Sequence, residues 1–460
     1  MKRPDLSLTG TVFRLAGPTM LEQLMQTAVQ YVDTAMVGAL GTAATAAVGS
    51  TVPVNWLIGS SMGAMGVGFL AIISQARGAG DLERARRASA QAVLMMLVIG
   101  AVFTALPLAL AKRVPGWMQL EESIRPLASR YFFIIYLPTV FRAAATLSGT
   151  LLRAAGDSRT PMRAGILMNA VNVVLNFLLI FPRRELLLLG LRVPMWGAGL
   201  GVVGAAAATA ASFVLGGIML LRALWRHGEI SPRGIPLRPD PAVLVPCLRI
   251  AGPSVLQRFA TSLGYVFFAS MINSLGEIST AAHTVANTVE SAFYVPGYGM
   301  QTAAATLTGE CIGARDRDRL RRISSAILTL ETCLMFLSGA LLFTFARPMA
   351  GLFSRDAAVI ALSAAVLRMV ALSEPFYGIY IVLEGCLQGA GNTKAPFLFN
   401  VIGMWCVRIV GTFILVVLLH KGLTAAWGAM ICHNLLLFVI YVLYFRSGRW
   451  TELTRKIRKG

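Results

Sequence analysis

Apolar windows of roughly 20 residues, the length that carries a helix across the hydrocarbon of a bilayer, recur along the chain from Leu15 almost to Phe445. Twelve are predicted, at 11–38, 50–76, 88–111, 126–152, 160–182, 196–222, 243–273, 280–310, 322–346, 358–388, 396–419 and 424–445. A spanning β-barrel would instead alternate apolar and polar residues over segments of about ten. These windows are continuously apolar and too long for that, so the chain reads as all-helical. The opening "MKRPDLSLTG" lacks a short apolar core followed by a small-residue cleavage site, and the first span is expected to be retained.

The windows fall into two similar sets. "LAGPTMLEQ" at 15–23 resembles "IAGPSVLQR" at 250–258, and "GAGDLERARRAS" at 78–89 resembles "GARDRDRLRRIS" at 313–324. Pro18 and Pro253, Gly41 and Gly276, Gly78 and Gly313, and Gly156 and Gly391 all keep a separation of 235. Each copy holds six spans, an even number, so both enter the membrane in the same orientation, related by a pseudo-twofold axis along its normal. The expected organisation is an N-terminal six-helix lobe at 1–222, a Pro- and Arg-rich linker at 223–241, a second lobe at 242–446 and a basic tail at 447–460. Two parallel bundles of this kind bind their cargo near the midplane and alternate access by rocking.

Within the apolar windows, polar residues follow helical spacing. In the first span Glu22, Gln26, Gln30 and Asp33 step by 4, 4 and 3, so they share one face. Asp33 lies about 16 Å along the axis from Glu22. The eighth span carries His283, Asn287, Glu290 and Tyr294 on one face, and the tenth carries Glu374, Tyr377, Glu384 and Gln388. A charge at the bilayer centre costs roughly 2.5 to 3.5 kcal/mol even on a lenient scale, so such groups face protein or water. Each glutamate also has a structural alternative as the ion-pair partner of Arg142, Arg368 or Arg408, and Glu331 in the ninth span reads as structural. The repeat maps Asp33 onto Phe268, and Glu290, Glu384 and Glu374 onto Asn55, Gly149 and Thr139. The two lobes are therefore chemically unequal.

Composition agrees with a membrane protein. The 460 residues are 56% hydrophobic and 13% charged, with a mean hydropathy of +0.69, where a soluble chain carries about a quarter charged residues. The net charge of +20 could point to nucleic acid. Its distribution argues otherwise: if both termini are cytoplasmic, Arg84, Arg86, Arg87, Arg315, Arg317, Arg319, Arg321, Arg322 and the tail collect on that side, and few cations lie opposite. The six cysteines are scattered with no metal or disulfide spacing, and the four histidines are isolated, which argues against an embedded transferase.

Carboxylates in a partly dry cavity can exchange a proton near neutral pH or ligate a hard monovalent cation through oxygen. Either supports an ion-coupled cycle. The ion-coupling candidates are Asp33, Glu290, Glu384 and Glu374, with Na⁺ at Asp33 as the one metal option and no catalytic residue. Gln26, Gln30, Asn55, Trp56, His283, Asn287, Tyr294 and Tyr377 are expected to line the substrate cavity, where an acidic, aromatic wall suits organic cations.

The chain resembles the multidrug and toxic compound extrusion (MATE) family of the bacterial type. The resemblance rests on "AGP" opening each half, "VDTAMVGALGTAATAAVG", "SQARGAGD" with its copy "GECIGARD", "LGEISTAAHTVAN", "GTLLRAAGDSRTP" with its copy "GCLQGAGNTKAP", and "AAWGAMICHN". It implies a twelve-helix, two-lobed exporter that expels cationic drugs against H⁺ or Na⁺, with Asp33 at the family's coupling position. A glutamate in the seventh span and an aspartate early in the tenth, used by some members, are replaced here by Thr261 and Tyr377. The expectation is a monomeric, multi-pass protein of the bacterial inner membrane with no cofactor besides the coupling ion. A lipid-linked oligosaccharide flippase is the alternative, and it would call for a cationic rather than an acidic cavity.

Overall fold

The computed structural model describes residues 6–450 apart from 119, 189 and 190, and side chains apart from residues 6–7 and 184–193. Lys2, Arg3, the tail beyond Trp450 and the side chains of Arg184 and Arg192 lie outside what is described. The first half contains α1 (Leu6–Gly38), α2 (Thr42–Gly49), α3 (Val52–Gly78), α4 (Leu82–Leu110), α5 (Val114–Trp117), α6 (Arg125–Tyr136), α7 (Thr139–Ala154), α8 (Arg159–Ile180), strands β1 (Pro182–Leu188) and β2 (Leu191–Ala198), and α9 (Gly201–Arg226). The second contains α10 (Pro241–Asn273), α11 (Glu277–Gly313), α12 (Arg317–Phe353), α13 (Ala357–Ala371), α14 (Glu374–Gly389), α15 (Lys394–Ile402), α16 (Val410–Thr412) and α17 (Leu423–Arg446). Around α16 the helix widens to π geometry at Gly403–Ile409 and Phe413–Leu418.

Among the described residues, eight helices are long and apolar enough to cross a membrane, and α6 with α7 and α13 with α14 raise the number to ten as bent pairs of 47° and 55°. α1 and α11 complete the twelve predicted spans. They are the helices that carry the first two polar stripes, and the same residues that make them candidates for function lower their hydropathy. The fold is an all-α, twelve-helix membrane architecture.

The duplication is visible element by element. α1 and α10, α2 to α3 and α11, α7 and α14 all begin and end 235 residues apart, and α4 and α12 begin so. Even the caps repeat: Asp81 accepts from the Arg84 backbone N–H at 3.0 Å, and Asp316 from that of Arg319 at 2.8 Å. α12 runs on where the first half breaks into α4 and α5, and α6 and α13 start 232 apart, but the spacing of 235 returns at α7 and α8 and is lost after them. There the antiparallel β1–β2 hairpin, paired from Pro182 with Ala198 to Leu188 with Leu191, is inserted, and α9 and α17 start 222 apart instead. The sequence places the sixth span from residue 196 onward; the structure starts that helix at Gly201, because Trp196–Ala198 still belong to β2 and Gly199 turns the chain through left-handed backbone at φ 66°.

The halves meet most closely where α3 and α11 finish. A Cβ on Gly78 would overlap the Glu310 carbonyl oxygen, and a Cβ on Gly313 would overlap that of Gln75. These are repeat-equivalent glycines, so the crossing is itself twofold-like, and only a residue without a side chain allows the backbones so near. Beside them Gln75 donates to Gly389 O at 2.9 Å, and Glu310 faces Arg77 at 3.9 Å and Arg319 at 3.4 Å.

Candidate functional site

In the first half the site is built around Asp33, half-buried on α1. Asn176 on α8 donates through Nδ2 to Asp33 Oδ1 at 2.6 Å. Asn172, one turn earlier on α8, lies 2.9 and 3.1 Å from the two carboxylate oxygens. A carboxylate only accepts, so its facing atom is the amide nitrogen, which leaves the Asn172 oxygen to accept from Thr209 of α9 at 3.2 Å. Among the described residues no cation pairs with Asp33, and Asn176 Oδ1 is buried without a partner. The pocket thus gathers one carboxylate, two amides and a hydroxyl, all oxygen-bearing. Sequence reasoning found Asp33 and missed Asn172, Asn176 and Thr209. The signal was present: Asn169, Asn172 and Asn176 are spaced by 3 and 4 within the fifth span.

The rest of the predicted α1 stripe behaves differently from Asp33. Glu22 is ion-paired with Arg153 of α7 at 3.0 Å, both largely shielded. Gln26 and Gln30 are exposed. Next to the stripe, Tyr31 donates its hydroxyl to Thr288 O of α11 at 2.8 Å, a bond between the halves. Asn55 is occupied with Arg142: its Oδ1 accepts from Tyr136 Oη at 2.7 Å and Arg142 Nη1 at 3.4 Å, and its backbone oxygen accepts from Arg142 Nη2 at 3.2 Å. Trp56 is exposed and meets Tyr265 of α10 edge-on at 6.4 Å.

In the second half, Glu290, Glu374 and Glu384 are all buried. Glu384 accepts from Gln257 of α10 and Gln388 of α14, each at 3.0 Å. Glu374 keeps Oε2 unpartnered and lies within Coulombic reach of Glu290 and Glu331. None of the three glutamates forms an ion pair with Arg142, Arg368 or Arg408 among the described residues. Arg368 is exposed, and Arg408 packs over the rings of Phe268 at 4.1 Å and Tyr265 at 4.7 Å. Phe268 is the repeat counterpart of Asp33, so an anion in one half corresponds to an aromatic ring capped by a cation in the other.

Tyr294, Tyr298 and Tyr377 form an aromatic group beside the glutamates. The Tyr294 ring lies 6.0 Å from Tyr298 and 5.4 Å from Tyr377, whose hydroxyls are 3.3 Å apart. His283 stands apart, between Phe268 and Trp427, with Nδ1 accepting from Trp427 Nε1 at 3.3 Å. Asn287 is exposed on the same helix. The structure therefore brings Tyr294, Tyr377, Glu290 and Glu374 into one neighbourhood and places His283 in packing.

A family model named MatE matches residues 18–178 and 253–414, one copy in each half. The chain is 27% identical over 448 residues to the probable multidrug resistance protein NorM of Thermotoga maritima, covering 97% of this chain and 94% of that one. It is 26% identical to the multidrug and toxin extrusion protein 1 of Mus musculus, covering 91% and 71%. Among solved structures, an outward-facing multidrug resistance MATE family transporter of the MOP superfamily aligns with a TM-score of 0.87 at 24% identity, over 97% and 96% of the two chains. A MOP superfamily transporter from Pyrococcus furiosus, described as having a binding pocket of reverse polarity, aligns with a TM-score of 0.87 at 23% identity, over 97% of each. Two matched copies in register with two structural halves, over most of the length, establish that the chain belongs to the MatE family of membrane transporters.

Proposed function

We propose that the chain is a secondary active multidrug exporter, which expels amphipathic, mainly cationic organic compounds in exchange for inward H⁺ or Na⁺ by alternating access. The observation that carries this reading is the Asp33 pocket: a carboxylate inside a membrane-spanning helix, held by two asparagines and paired with no cation among the described residues. Such a group is costly unless it binds something, and an exchangeable cation is what its oxygens suit. If Na⁺ is the coupling ion, Asp33, the free Asn176 oxygen and the Thr209 hydroxyl are the ligands available. The names of the relatives, multidrug resistance and multidrug and toxin extrusion proteins, support the substrate class. The tyrosines and glutamates of the second half supply an acidic, aromatic wall for a cation.

In this reading the lobes are residues 1–222 and 242–446, the linker 223–241 and tail 447–460 lie with both termini on the cytoplasmic side, and the protein acts as a monomer in the bacterial inner membrane. The concentration of Lys and Arg at one set of loops supports the orientation. The cycle uses no cofactor besides the ion, and no catalytic group.

Dye efflux from proteoliposomes under an imposed Na⁺ gradient and, separately, an imposed pH gradient tests the proposal. Wild type should respond to at least one gradient and Asp33→Asn to neither. Transport by wild type that ignores both gradients would remove the antiport mechanism.

A further inference from the structure

Glu331 on α12 has no accessible surface, and neither carboxyl oxygen has a hydrogen-bond partner among the described residues. Its surroundings are shaped for it. A methyl group on Gly378 of α14 would lie 2.8 Å from Glu331 Oε1, and one on Gly297 of α11 would lie 3.0 Å away. The carboxyl therefore occupies a recess that exists because two helices facing it carry hydrogen in place of a side chain. The repeat provides an internal control. Glu331, Gly297 and Gly378 correspond to Met96, Met62 and Ala143, which fill the same place in the first half as buried apolar core. Packing alone is satisfied there without a carboxyl, so the exchange of Met, Met and Ala for Glu, Gly and Gly is a chemical specialisation of the second half.

An ionised carboxylate in such a place is severely destabilised unless it is paired or neutralised. The groups around it decide which. Glu374 of α14 lies within electrostatic reach of both Glu331 and Glu290 of α11, and Tyr294 of α11 and Tyr377 of α14 stand beside that pair of glutamates; α13 contributes only the exposed Arg368, and α1 meets α12 through Tyr31 against Phe353. The charge of Arg408 reaches Glu290. No cation pairs with Glu331 itself among the described residues, and its near neighbours in the recess are glycine backbone and Met335. A hard metal cation needs about six oxygen ligands, whereas a proton needs none. No group of three or more His, Cys, Asp or Glu among the described residues is arranged to hold a metal ion.

We propose that Glu331 is a proton-binding site of the second half, housed in the recess between Gly297 and Gly378, and that it exchanges a proton during transport as the innermost member of a Glu290–Glu331–Glu374 set. The proton is taken from water on one side, forms the O–H bond on Glu331, and returns to water on the other side. Net charge on the residue changes by one in each direction. This deepens the exporter reading by naming H⁺ as an ion the second half carries, and it rests on that reading only for the transport step.

The experiment measures the protonated-carboxyl C=O stretch by difference infrared spectroscopy of the purified protein across a pH titration, with and without a dye substrate, in wild type, Glu331→Gln and Glu331→Met. Wild type should show a buried-carboxyl band that changes on dye binding. Both variants should lack that band and lose about tenfold or more of pH-gradient-driven efflux, the size of a typical coupling free energy. The methionine variant restores the residue found at position 96 and guards against a folding defect peculiar to glutamine. An unchanged band in both variants overturns the proton site. A lost band with undiminished pH-driven efflux overturns its part in transport. If the band behaves as stated while wild-type protein moves dye under neither a Na⁺ nor a pH gradient, the exporter reading fails and the proton site stands.

Discussion

Asn176 Nδ2 lies 2.6 Å from Asp33 Oδ1, across the gap between the fifth and first membrane helices. The short amide contact positions the carboxylate but carries no charge to neutralise it, and in the proposed cycle the coupling ion does so.

Asp33→Asn should therefore abolish gradient-driven dye efflux while leaving the protein folded, since asparagine retains the shape and one acceptor. Asn176→Leu should keep the carboxylate but misplace it, lowering efflux by about one order of magnitude, within the usual span of a coupling energy. Efflux assays beside a thermal-unfolding control separate the two effects. Full activity of Asp33→Asn would end the coupling role.

Where α3 and α11 cross, Gly78 permits an approach that any Cβ forbids. Gly78→Ala should destabilise by about 1 to 3 kcal/mol, the range for forcing a methyl group into a filled contact. Gly78→Leu should hold the two halves apart at this end, raising the reactivity of a cysteine placed at Ser74, whose Oγ sits at Gly309 of the partner helix. Thermal unfolding and thiol labelling read the two outcomes. A leucine variant that melts and labels like wild type would show that the crossing is not needed.

Arg315 is exposed at φ 59°, in the left-handed region, where its repeat counterpart Gly80 sits at 74° without strain. A non-glycine residue pays about 1 to 2 kcal/mol for that conformation. Arg315→Gly is expected to raise the unfolding temperature modestly, with the gain reduced by glycine's greater freedom in the unfolded chain. A lower unfolding temperature would mean that the guanidinium contributes more than the backbone loses.

His227, just past the end of α9, titrates below its ordinary value, chiefly because burial disfavours the imidazolium; Asp157 and Glu229 pull the other way and Arg77 adds to the lowering. Its Nδ1 accepts from the Glu229 backbone N–H at 3.3 Å, which requires the neutral ring. The unfolded chain binds the proton more readily, so stability from this contact is present above about pH 6.5 and is lost as pH falls below it. Amide protection at residues 228–240, corrected for the intrinsic exchange rate at each pH, should fall on acidification in wild type and be less pH-sensitive in His227→Gln. Equal pH dependence in both would place the sensitivity elsewhere.

The twelve spans and the duplication were readable because lipid demands long apolar windows, and because Pro18 with Pro253 and Gly41 with Gly276 keep one spacing throughout. The β1–β2 hairpin escaped because its first strand, "PRRELLL", carries no alternation of apolar and polar residues to mark it. For the site, charge was legible and neutrality was not: Asp33, Glu290 and Glu374 stood out as expensive in lipid. Asn172 and Asn176 are ordinary in a packed helix until the fold shows that they point at a carboxylate. Glu331 was read as structural because it stood alone on its helix. Its recess comes from glycines on α11 and α14, and no periodicity within α12 reports on them.

The segment between α9 and α10 is fastened mainly to what precedes it, and only Asp240 at its end reaches forward, accepting from the Ala242 N–H to cap α10. Arg86 donates to Gly228 O at 2.8 Å, Arg77 pairs with Glu229 at 2.7 Å, Gln91 donates to Arg238 O at 2.8 Å and accepts from the Asp240 N–H at 3.0 Å, and Ile230 is buried in a core built mainly from the first half. Arg77, Arg86 and Gln91 have all been synthesised when residue 240 appears. N-terminal units generally fold first during synthesis, so the strap can be tied down before α10 is made, and the second half then starts from a fixed point on a finished first half.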